Sequence, residues 1–221
     1  LYKTWLWAGD ANPFAALGRL SARIQPAAPI VTGAARAGVG LVVLLTLLMG
    51  IAFYQIYTRE VTRATASRWI YENVPAGSII GREHWDDPVP HGIKGVPAVA
   101  YGSVEFQNFN PDTPERVEAL LNEIDQVDYI ALSSERLSRT IPRVPAAWPV
   151  TSRYYAALAS GELGFEQVAE FSSYPSVFGI ELNDRGAEES YSVYDHPYVV
   201  IYKKTDAYSP ERARDVLGAD A

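Results

Sequence analysis

Two of the chain's three histidines stand in one short stretch, GREHWDDPVPH (residues 81–91), beside Glu83, Asp86, Asp87 and two prolines. The residue types allow three chemistries. A divalent metal ion needs several His or carboxylate ligands in fixed geometry. His84 and Asp86 would share one face of a strand end by the period of two, and His91 could join them across the Pro88-Val89-Pro90 bend. A sugar or lipid phosphate would use the loop differently: Trp85 offers a stacking face, and Asp86 and Asp87 accept hydroxyl hydrogens, with His91 at the rim. The structural alternative is a turn whose carboxylates cap backbone amides and pair with Arg82 or Lys94.

The third histidine, His196, lies in VYDHP (residues 193–197). Pro197 holds it extended. It joins the candidate site if it reaches His84 across neighbouring strands. SSER (residues 133–136) follows a strand, where open α/β sheets bind ligands, but no Gly-rich phosphate loop accompanies it. The chain has no G-x-S-x-G elbow, no G-x-G-x-x-G and no P-loop, so serine-hydrolase, dinucleotide and P-loop chemistry find no motif. There is no cysteine, which removes disulfides and thiolate metal sites. A net charge of −7 argues against a nucleic-acid partner, which requires a basic face.

The elements that must position these residues begin with AGVGLVVLLTLLMGIAFYQIY (residues 37–57), 21 residues without a charge. As a helix it would be about 31 Å long, the thickness of a bilayer core. Tyr54 and Tyr57 suit the headgroup region at its end. The spacing therefore predicts a transmembrane helix and a lipid-bilayer partner. Residues 1–36 carry Lys3, Arg19, Arg23 and Arg36 against Asp10 and read as a cytoplasmic or interfacial loop with Trp5 and Trp7 near the membrane. Basic residues favour the cytoplasmic side, so residues 58–221 are expected to form an extracytoplasmic domain at the cell membrane. Arg59, Arg63 and Arg68 on the other flank oppose that orientation.

Beyond the span, Ala66, Trp69, Ile70 and Asn73 recur at helical spacing, and the transmembrane helix could run into this one unbroken. Residues 78–85 and, more weakly, 103–109 read as strands. PDTPERVEALLNEID is a helix capped by Asp112 or Thr113, with Val117, Leu120, Leu121 and Ile124 as its apolar stripe. DYIALSS (128–134) is a buried strand. A Pro-broken segment leads to a helix through Val150, Tyr154, Tyr155 and Leu158 that Gly161 ends. Strands follow at 164–173 and 198–203, and Ser209-Pro210 opens a last helix. Alternating strands and helices predict an α/β sandwich with a largely parallel central sheet. Ile130 and Val200 should lie at its centre.

The order of an apolar span, ASRWIYENVPAGSII, a Trp-Asp loop, a helix with DYIALSS, and GFEQVAEFSSYP resembles the extracytoplasmic C-terminal domains of protein-mannosyltransferase-like GT-C glycosyltransferases. TSRYYAALASGELGF, LSSERLSRTIPR and AEESYSVYDHPYVVIYKK are similar to the tail of the polytopic membrane-protein family labelled Chlor_Arch_YYY, over residues 63–204. The resemblance implies an integral membrane protein that transfers a sugar from a polyprenyl-phosphate carrier to an acceptor. Residues 58–221 would then serve acceptor access or stability. In such enzymes the catalytic acid lies on an early outer loop that no position here matches, so the resemblance supplies no catalytic residue. The alternative is a non-catalytic, membrane-anchored binding or assembly domain.

Overall fold

The computed structural model describes residues 28–219. The reading of residues 1–27, with Trp5 and Trp7, lies outside the described residues. Two compact units divide between Gly50 and Ile51.

The described part of the first unit is helical. Helix α1, Ala28–Tyr54, takes in most of the uncharged stretch and extends it backward through Arg36. Its 27 residues rise about 40 Å. With a window of mean hydropathy 2.3 it is long and apolar enough to cross a membrane. Val39, Val42 and Leu47 are more than half exposed, as a lipid-facing helix requires and a soluble core helix does not.

The second unit opens with the last turn of α1 and a short 3-10 turn, Gln55–Thr58. The helix does not continue unbroken. Arg59 and Val61 are extended, and α2, Thr62–Asn73, starts afresh. Then follow β1 (Ile79–Glu83), β2 (Gly102–Phe106), α3 (Pro114–Gln126), β3 (Tyr129–Leu132), α4 (Arg136–Thr140), α5 (Pro149–Ser160) and β4 (Phe165–Phe171). A small hairpin, β5 (Ser176–Val177) and β6 (Ile180–Glu181), precedes α6 (Glu189–Ser192), β7 (Val199–Lys204) and α7 (Pro210–Leu217).

The fold is mixed α/β. The five-stranded sheet has the order β2-β1-β3-β7-β4. β1 runs parallel to β2 and β3, whereas β7 is antiparallel to both β3 and β4. The sheet is therefore less parallel than the helix–strand alternation implies. Parallel neighbours need a crossover segment covering a sheet face; the chain between β4 and β7 instead holds the hairpin and α6, and it returns to insert β7 as an antiparallel interior strand.

Apolar rows on the two faces fix the layers. Phe106, Ile130, Leu132, Val200 and Tyr202 pack with the stripe Val117, Leu120, Leu121 and Ile124 of α3, with Tyr154 and Leu158 of α5, and with Leu217 of α7. Ile80, Tyr129, Ala131 and Ile201 meet Ile70 and Val74 from the other face. Each fully buried aliphatic side chain contributes roughly 1.5–3 kcal/mol. Thr113 caps α3 by accepting from the Arg116 N–H. Asp112 caps a different helix: its Oδ2 accepts from the N–H groups of Val150 and Thr151 at 2.7 and 3.0 Å.

Candidate functional site

The carboxyl ends of β1, β2 and β3 lie side by side, and the residues just beyond β1 and β3 converge near the first turn of α2. Arg63 on that turn is the organiser. Its Nε donates to the Ser133 carbonyl after β3 at 3.1 Å. Its Nη2 donates to Asp86 Oδ1 after β1 at 2.8 Å, and its Nη1 lies 3.5 Å from Asp87 Oδ2. Both Arg63 and Asp86 are almost fully buried at the side chain, whereas the Asp87 side chain is 73% exposed. Asp86 also accepts from the Asp87 N–H. The structural alternative for this loop thus holds for Asp86, with Arg63 as its partner in place of Arg82 or Lys94. Asp86 Oδ2 is buried without a protein partner.

Trp85 has φ +66°, a region that costs a non-glycine residue about 1–2 kcal/mol. Its ring stacks on Phe109 from the end of β2, at 4.2 Å between centroids and 16° between planes. His84 lies over the same Phe109 at 5.3 Å. Arg136, the first residue of α4, donates to the Trp85 carbonyl at 3.0 Å. The indole is nonetheless 65% exposed. His84, Trp85 and Phe109 form an aromatic platform at the carboxyl ends of parallel strands, the position at which open α/β sheets receive ligands.

Beneath it sits Glu83. Alternation along β1 turns Ile79, Gly81 and Glu83 toward the α3 and α5 face. At Gly81 a Cβ would meet the Phe106 ring at 2.8 Å, so only glycine fits that row. Glu83 accepts a short hydrogen bond from the Tyr155 hydroxyl of α5. Asn108, buried beside them, reaches Tyr155 at 3.2 Å. Glu83 Oε2 has no protein partner. Desolvation pushes the carboxyl up to about 7, and the nearby Asp86 charge adds to the rise against the opposing hydrogen bonds of Tyr155 and Asn108. A group poised near neutrality at the end of a parallel strand could carry a proton, but its burial keeps it from reaching a ligand directly.

The remaining predicted residues go elsewhere. His84 Nδ1 is paired with Glu105, whose carboxyl this contact, followed by Arg82, holds below its ordinary range. His91 uses its backbone: its N–H donates to Ser67 Oγ at 2.7 Å and its carbonyl accepts from Tyr71 at 3.0 Å. His196 is buried with Nε2 2.9 Å from Asp184 and stands edge-on to Phe53; its partners are these and not His84. His84, Asp86 and His91 do not converge, and among the described residues no three His, Cys, Asp or Glu side chains could share a metal ion. The residues therefore do not fit a divalent metal, and no chemistry is routed through one. Pro88, Val89 and Pro90 wall a cleft of about 340 Å³ with Tyr71, Arg82 and Tyr101, at the small end of ligand-sized clefts.

Sequence reasoning named Trp85 as a candidate and did not single out Phe109, Arg63 or Tyr155 for the site, nor the burial of Glu83. One signal was present for Glu83: it continues the row of Ile79 and Gly81 into a core-facing position.

No family model, no curated protein and no solved structure matches this chain.

Proposed function

We propose that this chain is an integral part of the cell membrane, anchored by α1, with an extracytoplasmic α/β sandwich that presents a sugar-binding platform. The observation that carries the reading is the exposed Trp85 indole. It is held in a strained backbone conformation, stacked on Phe109, and anchored from behind by Arg136. An aromatic face of this kind takes the apolar side of a sugar ring, and Asp87, exposed at its edge, accepts hydroxyl hydrogens. Arg63 and Asp86 hold the platform in place and do not bind the ligand.

The resemblance to polyprenyl-phosphate-dependent glycosyltransferases gives the platform a role: guiding a lipid-linked sugar or its acceptor toward a catalytic centre that these residues do not supply. One feature favours the other class, a domain that binds or assembles without chemistry. Among the described residues, Asp86 and Glu105, two of the acids nearest the platform, are each held by a partner within the fold.

Transfer from a polyprenyl-phosphate sugar, measured in membranes containing the full-length protein, tests the reading. Trp85→Ala should lower transfer at least about tenfold, a barrier change of ~1.4 kcal/mol, with folding unchanged, while Trp85→Tyr retains most of it. Undiminished transfer by Trp85→Ala would remove the platform from the reaction and leave the assembly reading.

A further inference from the structure

We propose that the β5–β6 hairpin is a lipid-inserting finger, which lays Phe178 and Ile180 into the same bilayer interface from which α1 emerges. The proposal rests on the reading of α1 as a membrane span.

The hairpin's tip is built against local preference. Val177 pairs with Ile180, leaving the two-residue loop Phe178-Gly179. Both loop residues have positive φ, +53° and +80°, as a type I′ turn requires. That turn favours Asn-Gly or Gly-Gly. Here a phenylalanine occupies the strained first position and is 89% exposed. Among the described residues only Trp85 and Phe178 are non-glycine residues with positive φ. Trp85 gains a stack on Phe109; Phe178 gains no ring contact. Ile180 beside it is 63% exposed and Leu182 is 38% exposed. Strain that brings an apolar side chain into water marks a surface built to meet a partner.

The chain itself identifies the occupant. Arg59, five residues after the end of α1, clamps the hairpin. Its Nη1 donates to the Tyr174 carbonyl at 3.2 Å, its Nη2 donates to Ser176 Oγ, and it lies 3.6 Å from Glu181. The base of the finger is therefore fixed beside the 3-10 turn that follows α1. Exposed aromatic residues gather at this level. Phe53 contacts Tyr57 and Tyr191 at 5.9 and 5.3 Å, and Tyr54, Tyr57 and Tyr191 are all exposed. Tyrosines with a polar tip suit the headgroup region, and a protruding Phe and Ile suit the acyl boundary beneath it. The hairpin presents no unpaired cation, since Arg59 is engaged by the hairpin itself. Insertion is therefore apolar and independent of anionic lipid.

The chain has no cysteine, so single nitroxide labels report depth directly. The full chain is placed in nanodiscs of zwitterionic lipid with one label at Leu45→Cys, Phe178→Cys, Ile180→Cys or Asp206→Cys. Access to oxygen is compared with access to a water-soluble nickel chelate. Labels at 178 and 180 should lose access to nickel as the label at 45 does, while the label at 206 retains it. Added salt should change nothing. Phe178→Asn suits the turn better and should leave thermal stability equal or higher, yet return a label at 180 to water. Nickel access at 178 and 180 with lipid burial at 45 overturns the finger and leaves the span intact. Nickel access at 45 overturns the span itself. Dipolar broadening between labels at 178 in discs holding two chains would put a second copy on the finger and overturn the lipid assignment.

Discussion

Glu83 is the residue at which burial and charge conflict most. Its carboxyl lies in the core with one oxygen bonded to Tyr155 and the other unpartnered. Burial raises its ionisation from an ordinary 4.5 to about 7. The folded state therefore holds a proton that the unfolded chain releases. At roughly 1.4 kcal/mol per unit, the shift corresponds to about 3 kcal/mol. Because the folded value lies above the unfolded one, this contribution is fully present below pH 4.5 and is lost as pH rises to about 7. Glu83→Gln cannot ionise and keeps an oxygen for the Tyr155 hydroxyl. Denaturant unfolding at pH 5, 6, 7 and 8 should show a stability decline in the parent that is absent in the variant, with the variant more stable at pH 8 by up to about 3 kcal/mol. Equal slopes for the two proteins would mean that Glu83 is not the buried acid described here. Arg63 and Asp86 beside it form a buried pair, in which loss of one partner leaves an uncompensated charge.

At the scale of elements, close approach of backbones is as decisive as the apolar stripes. Gly164 precedes β4 with φ +81°, and a Cβ there would stand 2.5 Å from the Tyr208 Cα. Its carbonyl accepts from both the N–H and the hydroxyl of Thr205 at the end of β7, so the two chain segments are bound where they nearly touch. Gly164→Ala meets both the left-handed strain and the clash. It should destabilise the domain by at least about 2 kcal/mol, seen as a lower denaturant midpoint with unchanged slope; a loss below about 0.5 kcal/mol would mean that the segments can part freely. Local signals made α3, α5 and α7 legible, because their stripes and their Thr113, Gly161 and Ser209 ends are written within a dozen residues. Ile130 and Val200 are buried at the sheet centre as their apolar runs require. The direction of β7 was not legible: nothing local encodes which neighbour a strand takes. Asp112 had the right chemistry for a cap and the wrong helix, since the N–H groups it accepts belong to residues 38 and 39 positions away. The same reason hides Arg63, whose partners are 23 and 70 residues distant.

For the whole molecule, the placement of the domain relative to a membrane turns on three arginines. Arg59, Arg63 and Arg68 follow the apolar stretch closely and would pull this flank toward the cytoplasm if they were free to meet anionic lipid. In the folded domain each of them has a carboxylate partner. Arg59 grips the hairpin, Arg63 is buried with Asp86, and Arg68 pairs with Glu60 at 2.8 Å. The chain beyond the span is acidic overall, whereas Lys3, Arg19, Arg23 and Arg36 lie before its uncharged stretch with only Asp10 against them. The expected topology puts residues 58–221 outside the cytoplasm, the side on which the platform is proposed to meet its ligand. In sealed inverted vesicles this domain faces the lumen. Protease added outside should spare residues 58–221 until detergent opens the membrane, as read by an antibody against the C-terminal helix. Complete digestion before detergent would reverse the orientation and place the Trp85 platform in the cytoplasm, away from any extracytoplasmic acceptor.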